Sequence, residues 1–219
     1  MRLLLYVTTH LSVLHRSFLS LCWPAMLKQI HVDYNVTFFI TADSKKKNWT
    51  TVVRWMTSLF PIASIITSDT QGKQQGAIAA MTHPQAMRPF SSFDWVIRLN
   101  PDVMIYNPSY IIDLMTPNRD AVLCNCNQNE REIRVMTDFI IFRPHAINIH
   151  ARQSVVAQYT RFNQTINAEK DFTRMISPTL KSRKYIWLWH SNDTSCRVRL
   201  PGIVYHEHTL HRCLASDFV

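Results

Sequence analysis

Apolar and polar positions along this chain follow two alternating rhythms. The runs "LLLYVTT" (3–9), "YNVTFFITAD" (34–43), "IASIITSD" (62–69) and "DWVIRLN" (94–100) are short, rich in β-branched and aromatic residues, and bounded by polar ones. That is the pattern of buried strands. Between them lie helical spacings. "SVLHRSFLSLCWPAMLKQI" (12–30) carries Leu14, Phe18, Leu21 and Cys22 at helical intervals behind a capping Ser12, and Pro24 is expected to kink or divide it. "NWTTVVRWMTSLF" (48–60), Lys73 to Met81 and "PSYIIDLMTP" (108–117) read as further helices.

The second half is more mixed. "DAVLCNCN" (120–127) and "TDFIIFRP" (137–144) read as strands joined by a polar loop, "QNERE". Two helices are expected over 146–163 and 167–180, then a strand at "YIWLWHS" (185–191). Tyr185, Trp187 and Trp189 alternate there and should share one face. Successive β-α-β units followed by mixed strands predict a three-layer α/β fold, its sheet mostly parallel and flanked by helices.

Composition narrows the class. The chain has 219 residues, 47% hydrophobic and 18% charged, enough for one domain with a sizeable core. Its formal net charge of +9 suits an anionic partner. No zinc-finger spacing or basic helix turns that charge into a nucleic-acid module, and Lys45 to Lys47 read as a solvated loop. Five cysteines, with Cys124 and Cys126 at neither zinc nor thioredoxin spacing, are expected to be mostly buried and reduced, a Cys196–Cys213 bridge being the alternative. Leu3 to Val7 reads as a first buried strand rather than the core of a signal peptide, and no stretch is long enough to span a membrane. The expected location is therefore the cytoplasm. Four N-x-S/T sequons, at Asn35, Asn48, Asn163 and Asn192, keep a secretory lumen as the alternative if the chain is a module of a longer one.

Chemistry concentrates at the end of the fourth strand. Asn100-Pro101-Asp102 interrupts an apolar run and presents one carboxylate at a strand's carboxyl end, where open α/β sheets bind ligands. Turn chemistry alone accounts for such a triplet. Arg98, inside the strand, needs a partner if buried, and Asp94 or Asp138 can supply one. Lys73 follows Gly72 at a helix start, a natural anion site. Glu169 and Asp171 sit where carboxylates commonly cap a helix. His206 and His208 share a face if their segment is extended.

An apolar strand ending in an acidic turn, preceded by a helix beginning "GKQQGAIAAM", resembles the nucleotide-sugar-binding half of GT-A glycosyltransferases. The late "VYHEHTLHRC" adds to the likeness. In that family a DxD-type motif holds a divalent metal on the donor diphosphate; here its first aspartate is replaced by Asn100, which puts metal dependence in doubt. The resemblance implies a donor half over 1–106 and an acceptor half over 107–219. It implies a UDP-linked or other nucleoside-diphosphate sugar donor and a carbohydrate acceptor. Thr8, Thr9, Lys73, Arg98, Asn100 and Asp102 would contact the donor. Asp102, His206 and His208 would hold Mn²⁺ or Mg²⁺. Asp138 and Trp189 would meet the acceptor, and Asp171, ahead of Glu169, would be the base of an inverting transfer. Nucleic acid is not expected as a partner; peripheral contact with a membrane is compatible. The competing readings are a nucleotidyltransferase on a related fold, disfavoured by the lack of glycine in "VTTHLSVLHRS", and a non-catalytic carbohydrate- or polyanion-binding module.

Overall fold

The computed structural model describes residues 1–41, 49–60, 63–69, 73–126, 133–148, 150–151, 153, 167–190 and 199–207. A seven-stranded sheet forms the centre. Its strands are β1 (Arg2–Thr9), β2 (Asp33–Thr41), β3 (Ala63–Ser68), β4 (Trp95–Leu99), β6 (Ala121–Asn125), β7 (Phe139–Phe142) and β8 (Tyr185–His190), in the order β3-β2-β1-β4-β7-β6-β8. Every pairing is parallel except those of β7, which runs antiparallel to β4 and β6. A small antiparallel sheet of β5 (Val103–Ile105), β9 (Arg199–Leu200) and β10 (Val204–His206) stands beside it, in the order β5-β10-β9.

The alternation of side chains divides the core in two. From β1 and β4, Leu3, Leu5, Val7, Ile97 and Leu99 meet Phe18, Trp23, Met26, Met56 and Phe60. These come from α1 (Val13–Leu21), α2 (Trp23–Lys28) and α3 (Trp49–Leu59), with Phe60 directly following α3. On the other face, Leu4, Tyr6 and Val96 meet Ile78, Met81, Phe172 and Met175. Those belong to α4 (Lys73–Thr82) and to the helix Ala168–Met175. Each fully buried side chain of this size contributes about 1.5–3 kcal/mol, so both faces are needed to hold the sheet. Gly76 lets α4 approach closely: a Cβ there would stand 3.3 Å from Thr41 Cγ2.

Further helices among the described residues are α5 (Pro84–Met87), α6 (Pro108–Asp113), α7 (Ala168–Met175) and α8 (Ser177–Ser182). Two expectations are refined here. The 12–30 helix divides at Cys22, with Pro24 in the first turn of α2, where its missing N–H costs nothing. The 167–180 helix is likewise two, because Pro178 cannot continue the backbone ladder of α7 and instead opens α8. The strands expected at 120–127 and 137–144 form as β6 and β7, whereas the "QNERE" loop and most of the 146–163 helix lie outside the described residues.

Two expectations are overturned. Trp189 does not share a face with Tyr185 and Trp187: the register slips between Leu123, opposite Trp187, and Cys124, opposite Trp189. One extra residue in β8 reverses the alternation. Tyr185 and Trp187 therefore pack on the face of α4 and α7, and Trp189 on the face of α1 to α3. The cysteines are not all reduced either. Cys22 and Cys126 are disulfide-bonded, and Cys124 is free and buried. Spacing in sequence carries no record of which sulfurs the fold brings within bonding reach. Cys196 and Cys213, the alternative bridge, lie outside the described residues.

Candidate functional site

Strand order reverses direction between β1 and β4. From β1 the chain moves outward to β2 and β3, then returns to place β4 on the opposite side. The crevice at the carboxyl ends of two such strands is where open α/β sheets take ligands. Register sets Val7 opposite Leu99 there, so Thr8 and Asn100 follow as neighbours. Because β7 is antiparallel, it delivers its amino end, with Asp138, to the same edge.

These ends interlock. The Thr8 hydroxyl donates to Asn100 Oδ1 at 2.7 Å, and Asn100 Nδ2 donates to Asp138 Oδ1 at 3.0 Å. The Asn100 N–H also donates to the Asp138 carbonyl at 3.2 Å. Beneath the turn, Trp23 Nε1 donates to the Pro101 carbonyl at 2.9 Å, so a core indole sets the height of the proline. Above it, the Glu207 N–H donates to the Asp102 carbonyl at 2.7 Å, and Tyr106 donates its hydroxyl proton to Glu207 Oε1 at 2.7 Å.

Asp102 is the centre, 8% exposed. Its Oδ2 lies 3.2 Å from His206 Nε2 and 3.6 Å from His15 Nε2. The other nitrogen of His15, Nδ1, is 2.9 Å from Thr9 Oγ1, and that oxygen accepts the Leu11 N–H. Leu11 has φ +52°, a left-handed conformation costly for a branched side chain, so the β1–α1 loop is bent hard to bring α1 and His15 over the turn. His206 reaches across to a second carboxylate, its Nδ1 standing 3.7 Å from Asp138 Oδ2. Burial alone would raise the Asp102 carboxyl, but the imidazoles of His15 and His206 outweigh it and hold the group well below the usual carboxylate range. Asp102 Oδ1 is different. It is buried and has no hydrogen-bond partner.

Arg98 lies under the site with 1% exposure, and Asp138 Oδ1 stands 3.9 Å from its Nη1. Burial pushes its guanidinium down from its ordinary value, opposed by Asp138, Tyr6, Glu169 and Asp102 in that order. Asp94, the other partner considered, instead accepts the Arg2 N–H. On α7, Asn167 Oδ1 caps the first turn by accepting the Lys170 N–H at 2.9 Å. The two carboxylates of that turn part company. Asp171 pairs with Arg174 at 3.0 Å and is buried, while Glu169, half-buried, is close enough to Arg98 for its charge to be felt there.

The structure thus brings together Thr8, Thr9, Arg98, Asn100, Asp102, Asp138 and His206. Trp189 belongs to the same sheet edge but stands three strands from β4. Lys73 opens α4, and neither its side chain nor His208 is among the described parts of the chain. His15 was not expected. The signal was present: His15, Phe18, Leu19 and Cys22 fall on one helical face, so a histidine there faces inward.

A metal is tested against this donor set. Both amide atoms of Asn100 are engaged, Asp102 Oδ2 already faces two imidazoles, and among the described residues no three carboxylate, imidazole or thiolate groups form a set able to hold an ion. The described residues do not fit the DxD-type metal site.

No family model and no curated protein matches the chain. Solved structures do. A nucleotide-diphospho-sugar transferase from Desulfovibrio desulfuricans superposes with TM-score 0.51 at 10% identity, over 88% of this chain and 82% of its own. An active-site mutant of LgtC gives 0.53 at 11% identity, over 95% and 88%. Mouse xyloside xylosyltransferase 1 in its apo form gives 0.51 at 8% identity, over 95% and 98%. The fold is the GT-A-like α/β fold of these proteins.

Proposed function

We propose that this protein is a glycosyltransferase that moves a sugar from a nucleoside-diphosphate donor, UDP-linked in the first instance, to a hydroxyl of a glycan or other acceptor. The carrying observation is the Asn100-Pro101-Asp102 turn. It closes the strand-order switch point, tied to Thr8 on one side and to Asp138 and His206 on the other. The fold supports the donor class.

The geometry favours Glu169 over Asp171 as the base. Arg174 occupies Asp171 at 3.0 Å, whereas Glu169, half-buried, lies near enough to the buried Arg98 for its charge to be felt there. In an inverting transfer the acceptor oxygen bonds to the anomeric carbon as its proton passes to Glu169. The bond from that carbon to the diphosphate oxygen breaks, and its electron pair leaves with the nucleoside diphosphate. Asp138, 31% exposed at its side chain and held by Asn100 and Arg98, is placed to orient an acceptor or donor hydroxyl.

Nucleoside-diphosphate release from a panel of donors, measured with mixed glycan acceptors, tests this. Glu169→Gln is expected to lower kcat about 100-fold or more while KM for the donor stays within about twofold. Asp171→Asn should cost far less. Wild-type turnover in Glu169→Gln would refute the base; no nucleotide binding by the wild type would refute the transferase.

The disulfides at Cys22 and Cys126 support maturation in an oxidising compartment rather than the cytoplasm, in keeping with the exposed sequon Asn35. No helix among the described residues is long and apolar enough to cross a membrane.

A further inference from the structure

We infer, resting on the transferase reading, that Asp102 binds the donor through a hydroxyl rather than through a metal: its Oδ1 accepts a hydrogen bond from a ribose or sugar hydroxyl of the nucleotide sugar. Asn100 stands where a second hard-oxygen ligand would be required, and its amide is used at both ends, by Thr8 at 2.7 Å and Asp138 at 3.0 Å. An asparagine so fixed is a strut between β1 and β7. It is not a ligand waiting for an ion.

Asp102 is divided in its duties. Oδ2 is met by His206 at 3.2 Å and by His15 at 3.6 Å; the Thr9 hydroxyl holds His15 from behind at 2.9 Å, and His206 Nδ1 lies 3.7 Å from Asp138 Oδ2. Oδ1 is buried and has no partner. A buried acceptor without a donor costs about 1–3 kcal/mol, more for a charged group, so Oδ1 calls for a donor. A hydroxyl matches it: one donor, neutral, directional, and needing no second ligand. Two imidazole edges already face Oδ2 of this carboxylate, and they hold its ionised form without a metal.

The experiment is calorimetric titration of the whole protein with UDP and with a UDP-hexose, each in excess EDTA and in millimolar Mn²⁺, for wild type, Asp102→Asn and Asp102→Ala. Thermal unfolding checks that each variant is folded. Kd is expected to agree within about threefold between EDTA and Mn²⁺. Asp102→Asn, which keeps an acceptor oxygen, should bind within a few-fold of wild type, and Asp102→Ala about tenfold or more weaker. A loss in Asp102→Ala for both ligands assigns the hydroxyl to ribose; a loss for the UDP-hexose alone assigns it to the sugar. Binding that vanishes in EDTA, with Asp102→Asn as weak as Asp102→Ala, overturns this inference and leaves the transferase standing. Failure of UDP and every other common nucleoside diphosphate to bind in either condition overturns the transferase itself.

Discussion

Asp102 is a residue whose neighbours settle its charge. Its carboxyl is held below the usual range because His15 and His206 outweigh the cost of burial. The sign follows by linkage. A depressed folded-state value contributes stability above the unfolded value of about 3.9, and the contribution drains away as pH falls below it. The Tm of wild type minus that of Asp102→Asn should therefore be positive and flat near neutrality and shrink progressively below about pH 4. A difference that is constant down to pH 2.5 would mean that the imidazoles do not stabilise the ionised form. At this scale the sequence was partly legible. The carboxylate after a strand-ending Asn-Pro announced itself, as did a late histidine. The role of Asn100 did not, because an asparagine's two ends look alike until Thr8 and Asp138 claim them. The proposed ranking of Glu169 over Asp171 also needed three dimensions: an i, i+3 arginine takes Asp171, and the charge of Glu169 is felt at the buried Arg98.

Among the elements, α7 bears most directly on the proposed chemistry, since its first turn carries Glu169, the proposed base. Asn167 caps it through the Lys170 N–H. Asn167→Ala should cost about 1 kcal/mol of stability, and Asn167→Asp or Asn167→Ser close to nothing, in urea titrations. Activity should fall with the alanine variant by more than its stability accounts for, because the loosened turn no longer fixes Glu169. Equal activity per folded molecule would detach the cap from the site. Element type and order from β1 to β4 were readable for the longer elements, because each keeps its own period cleanly, whereas the short α5 and β5 were not expected. Reading failed in β8, where an alternation of aromatics looked uniform. A bulge leaves no mark in residue type when the extra position is itself apolar, as Leu188 is.

Across the whole molecule, parallel pairing and helix placement follow from the β-α-β rhythm, whereas the insertion of β7 between β4 and β6 is written in no local pattern. Neither is the state of the sulfurs. Cysteine-selective labelling with peptide mapping should find Cys124 unreactive in the native protein and reactive once unfolded, burial having pushed its thiol well above the ordinary range. Cys22 and Cys126 should label only after reduction, and reduction should lower Tm. Labelling of Cys22 in unreduced, unfolded protein would remove the case for an oxidising compartment. One further consequence lies in chain order. The clasp over the turn comes from Val204 to Glu207, about a hundred residues downstream: His206 pairs with Val103 and bonds Asp102, and Glu207 holds the Asp102 carbonyl. A ribosome that has released the chain through β8 has already delivered every strand of the large sheet, yet the turn still lies open. The cover over the turn is completed by Val204 to Glu207, so a nascent chain can fold the large sheet before the Asp102 turn is clasped.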